Sequence, residues 1–187
     1  MTEILWHGRG GQGAFTAAKL LGAAYSIEET NHFALSFPSF GPERRGAPIL
    51  AFTKLDQKQI GDRSQIKKAD YTVFLDDTLF SNSAFSEIKE DGKILVNTKK
   101  SSGDLKAKGF SDEQVKKIVL FDADSIALQI LKMPVTNTVM LALLASFSGI
   151  VTAEDLKTSI KFYMAPKLYE KNAAIVDATF AQAGEKR

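Results

Sequence analysis

The sequence contains no cysteine. That removes a disulfide framework, a thiolate nucleophile, a thiolate zinc site and any iron–sulfur cluster ligated in the usual way by this chain. Only two histidines occur, His7 and His32, too few for an all-histidine metal site. Charge of one sign is not in excess: 24 basic residues stand against 22 acidic ones, so the net charge of +2 implies no nucleic-acid partner. Long hydrophobic runs are also missing. The longest, from Val139 to Val151, contains Ser146, Ser148 and Gly149 and falls short of the ~20 residues that a membrane span needs. The N-terminus enters a strand without a basic segment followed by an apolar stretch, so neither a signal peptide nor membrane association is expected, and a cytoplasmic location is. What is left is a chain of 187 residues, long enough for one well-buried core and read as a single domain, 1–187.

Glycine is concentrated in one place. Gly8, Gly10, Gly11 and Gly13 lie within His7-Gly8-Arg9-Gly10-Gly11-Gln12-Gly13, between the apolar Ile4-Leu5-Trp6 and the helical pattern that begins at Ala14. Such a strand–loop–helix junction suits an anion, because glycine lets a ligand approach the backbone and the first helical amides lack intrahelical acceptors. The same glycines also admit a tight turn that only lets the helix pack on the sheet.

Along the chain, 3–7 reads as a strand, 14–27 as a helix and Phe33–Phe37 as a strand ending at Pro38. A proline- and glycine-punctuated loop follows to Pro48, then a strand over Ala47–Leu55. A polar turn from Asp56 to Gln59 suggests a hairpin or edge strand at Ile60. Tyr71–Leu75 reads as a buried strand ending in Asp76-Asp77, Ser83–Glu90 as a short helix, and Lys93–Asn97 as the next strand. The lysine- and glycine-rich stretch 98–117 reads as exposed loop with a short helix at Asp112–Lys116. Ile118–Phe121 reads as a strand, closed by Asp122 and Asp124 before a helix over Ser125–Leu131. Thr136 or Asn137 then caps an apolar helix ending at Gly149. Thr152 with Asp155 marks another helix, running to Tyr163, and Pro166 opens the last, with Leu168, Ala173, Val176 and Phe180 on one face. Apolar strands separated by helices predict an α/β, Rossmann-like three-layer sandwich, with a mostly parallel sheet and helices on both faces. Its ligand crevice would lie at the carboxyl ends of the strands, where the glycine loop, the 38–46 loop and Asp76-Asp77 can converge.

Gly8-x-Gly10-x-x-Gly13 satisfies the dinucleotide fingerprint formally. That fingerprint also requires a carboxylate at the end of the second strand, where this chain carries Ser36-Phe37-Pro38; Glu28 and Glu29 come too early, so a nicotinamide or flavin reading is disfavoured. No Gly-Lys-Ser/Thr follows, which excludes a Walker loop. In Gly41-Pro42-Glu43-Arg44-Arg45-Gly46, two adjacent arginines sit on a restricted loop where guanidinium forks can meet phosphate or carboxylate. Successive residues face different ways, so one would serve a ligand or a partner chain and the other would be held by Glu43; a surface salt bridge that contributes little is the equal alternative. Phe33, Phe37, Phe40 and Phe52 read as core rather than as a stacking platform, with exposure at the loop tip the alternative for Phe40, which Ser39 and Gly41 flank. His7 reads as a packed strand-end histidine, and the Asp76-Asp77 and Asp122/Asp124 pairs as helix caps. No triad, paired-carboxylate site or metal cluster is visible, so no catalytic residue is assigned to this chain.

HGRGGQGAFTAAKLL (7–21), FPSFGPERRGAPILAFTKLD (37–56), RSQI (63–66) and NTVMLALLASFSGIV (137–151) together resemble the gamma subunit of 2-oxoacid:ferredoxin oxidoreductases, most of all the pyruvate enzyme. The resemblance covers nearly the whole chain in order. It implies a hetero-oligomeric enzyme with alpha, beta and ferredoxin-like delta subunits that decarboxylates a 2-oxoacid oxidatively, reduces ferredoxin and releases an acyl-coenzyme A. The complex would hold thiamine diphosphate with Mg between alpha and beta, and iron–sulfur clusters largely in the ferredoxin-like part. This chain would bind none of these alone, but would lie over the active site and help to receive coenzyme A. By the same resemblance Gly8, Arg9, Gly10, Gly11, Gln12, Gly13, Phe40, Gly41, Arg44 and Arg45 would form the coenzyme A or active-site face. Branched-chain and 2-oxoglutarate versions of the complex, or a free-standing nucleotide-binding module, are the alternatives.

Overall fold

The computed structural model describes residues 1–27, 31–39 and 45–184. Six strands, β1 (Thr2–Arg9), β2 (Phe33–Pro38), β3 (Pro48–Asp56), β4 (Ala69–Phe74), β5 (Ile88–Asn97) and β6 (Ile118–Phe121), form one sheet in the order β2-β3-β1-β4-β5-β6. The β1/β4, β4/β5 and β5/β6 pairs are parallel, whereas β3 runs antiparallel to both of its neighbours. The expected mostly parallel sheet of an α/β fold is thus present, with β3 the one reversed strand. Only nine residues separate Pro38 at the end of β2 from Pro48 at the start of β3, too few for the crossover connection that a parallel neighbour needs.

Alternate side chains of the strands enter two different layers. Ile4, Trp6, Val73, Leu95 and Phe121 point into a core shared with α1 (Ala14–Ser26), α4 (Ala123–Leu131), α5 (Asn137–Ser148), α6 (Ala153–Tyr163) and α7 (Pro166–Gly184). α1 lies on β1, β2 and β3, and α7 packs on α4, α5 and α6. Enclosed in this way, α5 is buried at every position from Asn137 through Ala145, which is why its sequence is apolar all round. Phe74, Ile94 and Val96 point to the opposite face, under a 3-10 segment at Asn82–Glu87 and α2 (Ser102–Ala107). Helices therefore lie on both faces, long on one and short on the other.

Four local expectations need correction. Ser83–Glu90 is not one helix: the 3-10 segment stops at Glu87 and Ile88 starts β5. Gly92 makes this possible, since a Cβ there would sit 2.8 Å from the Ile88 Cβ and 3.0 Å from the Ala69 carbonyl oxygen. No strand forms near Ile60; the irregular 57–68 segment instead lies on the second face, anchored by the buried Ile66. The 98–117 stretch holds a further helix, α2, before the expected one, which is α3 (Asp112–Val115), and each has a complete capping box, from Ser101 and Ser111 respectively. Finally, Leu168 on α7 is 43% exposed while Asn172 is buried, because the Thr138 hydroxyl of α5 donates to Asn172 Oδ1 at 2.7 Å and rotates a polar residue into the contact.

Candidate functional site

A cleft of about 650 Å³ opens at the carboxyl ends of β1, β4 and β5, lined by Gln12, Leu75, Asp76, Asp77 and Asn97–Lys100, with Asp104, Asp124, Pro134 and Thr136 across from them. The β1–α1–β2 unit leaves β1 toward one edge of the sheet, and β4 lies on the other side of β1. The cleft mouth is thus a switch point, where the loops diverge and leave room for a ligand. Its floor is rigid. Buried Asn97 donates from Nδ2 to the Leu75 carbonyl at 3.1 Å and accepts at Oδ1 from the Ala123 amide at 3.0 Å, tying the ends of β4, β5 and β6 together.

The glycine loop forms the near wall, and local geometry accounts for three of its glycines. Gly11 and Gly13 have φ of 96° and 82°, in the left-handed region that L side chains avoid. At Gly13 a Cβ would also lie 2.5 Å from Asn137 Nδ2 at the start of α5, and at Gly8 it would press on Ala14 and on Leu75 of the β4 end. The tight-turn reading therefore describes part of what the glycines do. The loop is also tied to the end of the arginine loop: the Gly10 amide donates to the Ala47 carbonyl at 2.8 Å, and the Gly46 amide to the Gly10 carbonyl at 3.0 Å. The glycine loop, the 45–47 segment and Asp76-Asp77 do converge.

Arg9 and Gln12 are engaged within the chain. Arg9 Nε donates to Asp76 Oδ2 at 2.9 Å, Nη1 to the Gly46 carbonyl at 3.1 Å and Nη2 to Thr78 Oγ1 at 2.8 Å. Gln12 accepts from the Arg9 amide at 2.7 Å and donates to Asp76 Oδ2 at 3.2 Å. Burial would raise the Asp76 carboxyl, but bonds from Thr78, Gln12 and Arg9 outweigh it and hold it below the ordinary aspartate value. Asp77 is treated alike: burial opposes ionisation, and Lys100 with Thr98 overcomes it. Asp76 does cap the 3-10 turn at Thr78, as its position after a strand predicts, but its second oxygen does the further work of holding Arg9 and Gln12. Asp122 caps α4 through the Ser125 amide, whereas Asp124 lines the cleft.

Arg45 is exposed beside Gly46, next to the glycine loop. Phe40, Gly41 and Arg44, together with Glu43, Glu28 and Glu29, lie outside the described residues. His7 does not line the cleft: its ring stacks on Phe74 at 4.2 Å between centroids, and Nε2 lies 2.8 Å from Glu87 Oε2. The packed-histidine reading holds, with a carboxylate partner 80 residues away that no local pattern indicates. Phe52 is buried and Phe37 stacks on it, while Phe33 is partly exposed rather than core. Sequence reading passed over Asn97, Lys99, Lys100 and Thr98, although their place just after a buried strand was a usable signal.

Chemically, the cleft is polar and carries more carboxylates than cations. Asp76 faces Arg9 and Asp77 faces Lys100, while Asp104 is taken up in the α2 capping box and Asp124 adds a further carboxylate. Among the described residues no group of three or more acidic or histidine side chains could hold a metal ion. No helix of the described residues is long and apolar enough to cross a membrane.

The chain matches the family model described as Pyruvate ferredoxin/flavodoxin oxidoreductase over residues 3–182. It is 43% identical over 181 residues to the pyruvate/ketoisovalerate oxidoreductases common subunit gamma of Pyrococcus abyssi, with 96% of each chain covered. To the pyruvate synthase subunit PorC of Methanocaldococcus jannaschii it is 40% identical over 187 residues, covering 100% of this chain and 99% of that one. The crystal structure of the pyruvate oxidoreductase subunit PORC of Thermotoga maritima superposes with a TM-score of 0.75 at 33% identity, over 96% of this chain and 95% of the other. With the same α/β architecture and near-complete coverage, the chain belongs to the pyruvate ferredoxin/flavodoxin oxidoreductase family, as a gamma-type subunit of a 2-oxoacid:ferredoxin oxidoreductase.

Proposed function

We propose that this chain, as one gamma domain, completes the active site of a complex that oxidatively decarboxylates pyruvate to acetyl-coenzyme A with ferredoxin as acceptor, and that it receives coenzyme A at its glycine-loop rim. The observation that carries the reading is the junction of the glycine loop with Gly46-Ala47 at the carboxyl ends of the strands, beside the exposed Arg45. The deep cleft is lined by four carboxylates against two lysines, so phosphates are better received at the rim, by the Arg44-Arg45 pair. Without cysteine the chain offers no thiolate to a cluster; in this reading the clusters, thiamine diphosphate and Mg belong to the alpha, beta and delta partners, and the isolated chain is inactive. Changing Arg44 and Arg45 to alanine in the assembled complex raises the KM for coenzyme A. An unchanged KM with unchanged assembly sinks the proposal.

A second substrate has a specific observation behind it. The relative from Pyrococcus abyssi is named as a subunit common to pyruvate and ketoisovalerate oxidoreductases. A gamma chain that serves two 2-oxoacids does not itself select between them. Swapping this chain for such a relative in the complex should therefore leave the ratio of kcat/KM for pyruvate and for branched 2-oxoacids unchanged.

A further inference from the structure

We infer that Asp76 is a positioning residue that locks the glycine loop and the base of the arginine loop into one rigid rim; the inference rests on the coenzyme A reading above. Asp76 stands at the end of β4, 67 residues from Arg9 in sequence. Its two oxygens divide the work. Oδ1 accepts from the Thr78 amide at 3.0 Å and from the Thr78 hydroxyl, which fixes the turn after β4. Oδ2 accepts from Arg9 Nε and from Gln12 Nε2, one donor at each end of the glycine loop. With its Nε so held, the planar Arg9 fork has Nη1 aimed at the Gly46 carbonyl and Nη2 at Thr78 Oγ1. Gln12 closes the loop on itself by accepting from the Arg9 amide. The backbone bonds between Gly10 and residues 46–47 complete the bridge.

One carboxylate thus sets the spacing between the glycine loop and Arg45, which follows Arg44 and directly precedes Gly46. Because Asp76 is ionised and its acceptor sites are filled by this chain, it holds the rim without itself being offered to an anionic ligand.

Asp76→Asn keeps the shape and removes the double acceptor. Whichever way the amide turns, its NH2 confronts donors, Arg9 Nε and Gln12 Nε2 on one side or the Thr78 amide on the other. Arg9→Lys is the second variant: it keeps the charge at a half-buried site but cannot reach Asp76, Gly46 and Thr78 together. Both are to be made in the assembled complex, with hydrogen–deuterium exchange at the Gly10 and Gly46 amides and steady-state kinetics in coenzyme A. In each variant exchange at these amides should quicken about tenfold, the loss of one charge-assisted hydrogen bond, with the Ile94–Val96 amides unchanged. The KM for coenzyme A should rise by a similar factor while kcat changes much less. Unchanged exchange overturns the inference. Faster exchange with an unchanged KM, where the Arg44/Arg45 variant does raise it, also overturns it and leaves a purely structural clamp. A KM unchanged in every variant overturns the coenzyme A reading itself, and the positioning role with it.

Discussion

The two faces of the sheet solve the same burial problem with different materials. On the helical face the polar groups that are buried are neutral, and all but the Thr179 hydroxyl of α7 find a partner at short range. Trp6 Nε1 donates to Thr53 Oγ1 at 3.1 Å, Thr53 and Ser36 both donate to the Ala18 carbonyl, and Ser159 donates to that of Leu20. On the opposite face the cover is thin and partly ionic. Lys54 is 1% exposed beneath the irregular 57–68 segment, with Nζ 2.6 Å from Asp62 Oδ2, and His7 is paired with Glu87. A long helix brings its own backbone bonds and can lie on the strands as an apolar surface. An irregular segment cannot, so its carbonyls and carboxylates must be met by cations that reach up from the sheet.

The largest effect that separates the faces is expected from Leu144→Ala in α5. This residue has no exposed surface and neighbours on every side, and its truncation should cost about 3–5 kcal/mol in urea denaturation of the purified chain. A cost under about 1 kcal/mol would mean that α5 is not the enclosed element described above. Ile66→Ala comes next. Ile66 anchors a segment that can settle after truncation, so about 2 kcal/mol is expected, and rapid proteolysis confined to 57–68 would accompany it.

The smallest effect is the most diagnostic. Asp62→Asn strips a buried ammonium of its counter-charge and should lower Tm, whereas Lys54→Met leaves Asp62 in water, its side chain 54% exposed, and should lower Tm less or not at all. The Lys54 bond, with those from Ser64, holds the Asp62 carboxyl well below its ordinary 3.8. Because the folded value is the depressed one, this contribution is complete above about pH 4 and is lost as pH falls toward the folded value. The wild-type chain should therefore lose Tm more steeply than Asp62→Asn on acidification below about pH 4. Parallel curves would show that the pair contributes nothing.

Most helix boundaries were legible because their causes are local. Thr152 with Asp155 starts α6, Pro166 starts α7, and Gly149 at φ 69° ends α5, each within a turn of the element that it bounds. The Ser101–Asp104 box was equally local, but it sat among lysines and glycines and was passed over. Ile88 was misread for a different reason. Lys89, Glu90 and Asp91 look solvent-exposed, and only pairing with Ala69 makes that stretch a strand. At the site, the glycine loop and its convergence with Asp76-Asp77 followed from where the strands end. That Arg9 and Gln12 face Asp76 did not.

By itself the sequence determined the α/β class, the place of the glycine loop, the exclusion of thiolate chemistry and, through ordered motifs, the family. Caps, periodicity and composition act over a few residues and survive without a third dimension. The tertiary structure alone decided which charges meet: Arg9 with Asp76, His7 with Glu87, Lys54 under a segment that is not a strand. It also decided that the two faces are unequal, and that α7 turns Asn172 inward. Two of these ion pairs join residues 67 and 80 positions apart: the first needs the ends of β1 and β4 side by side, and the second needs the 3-10 segment before β5 laid over the sheet next to His7.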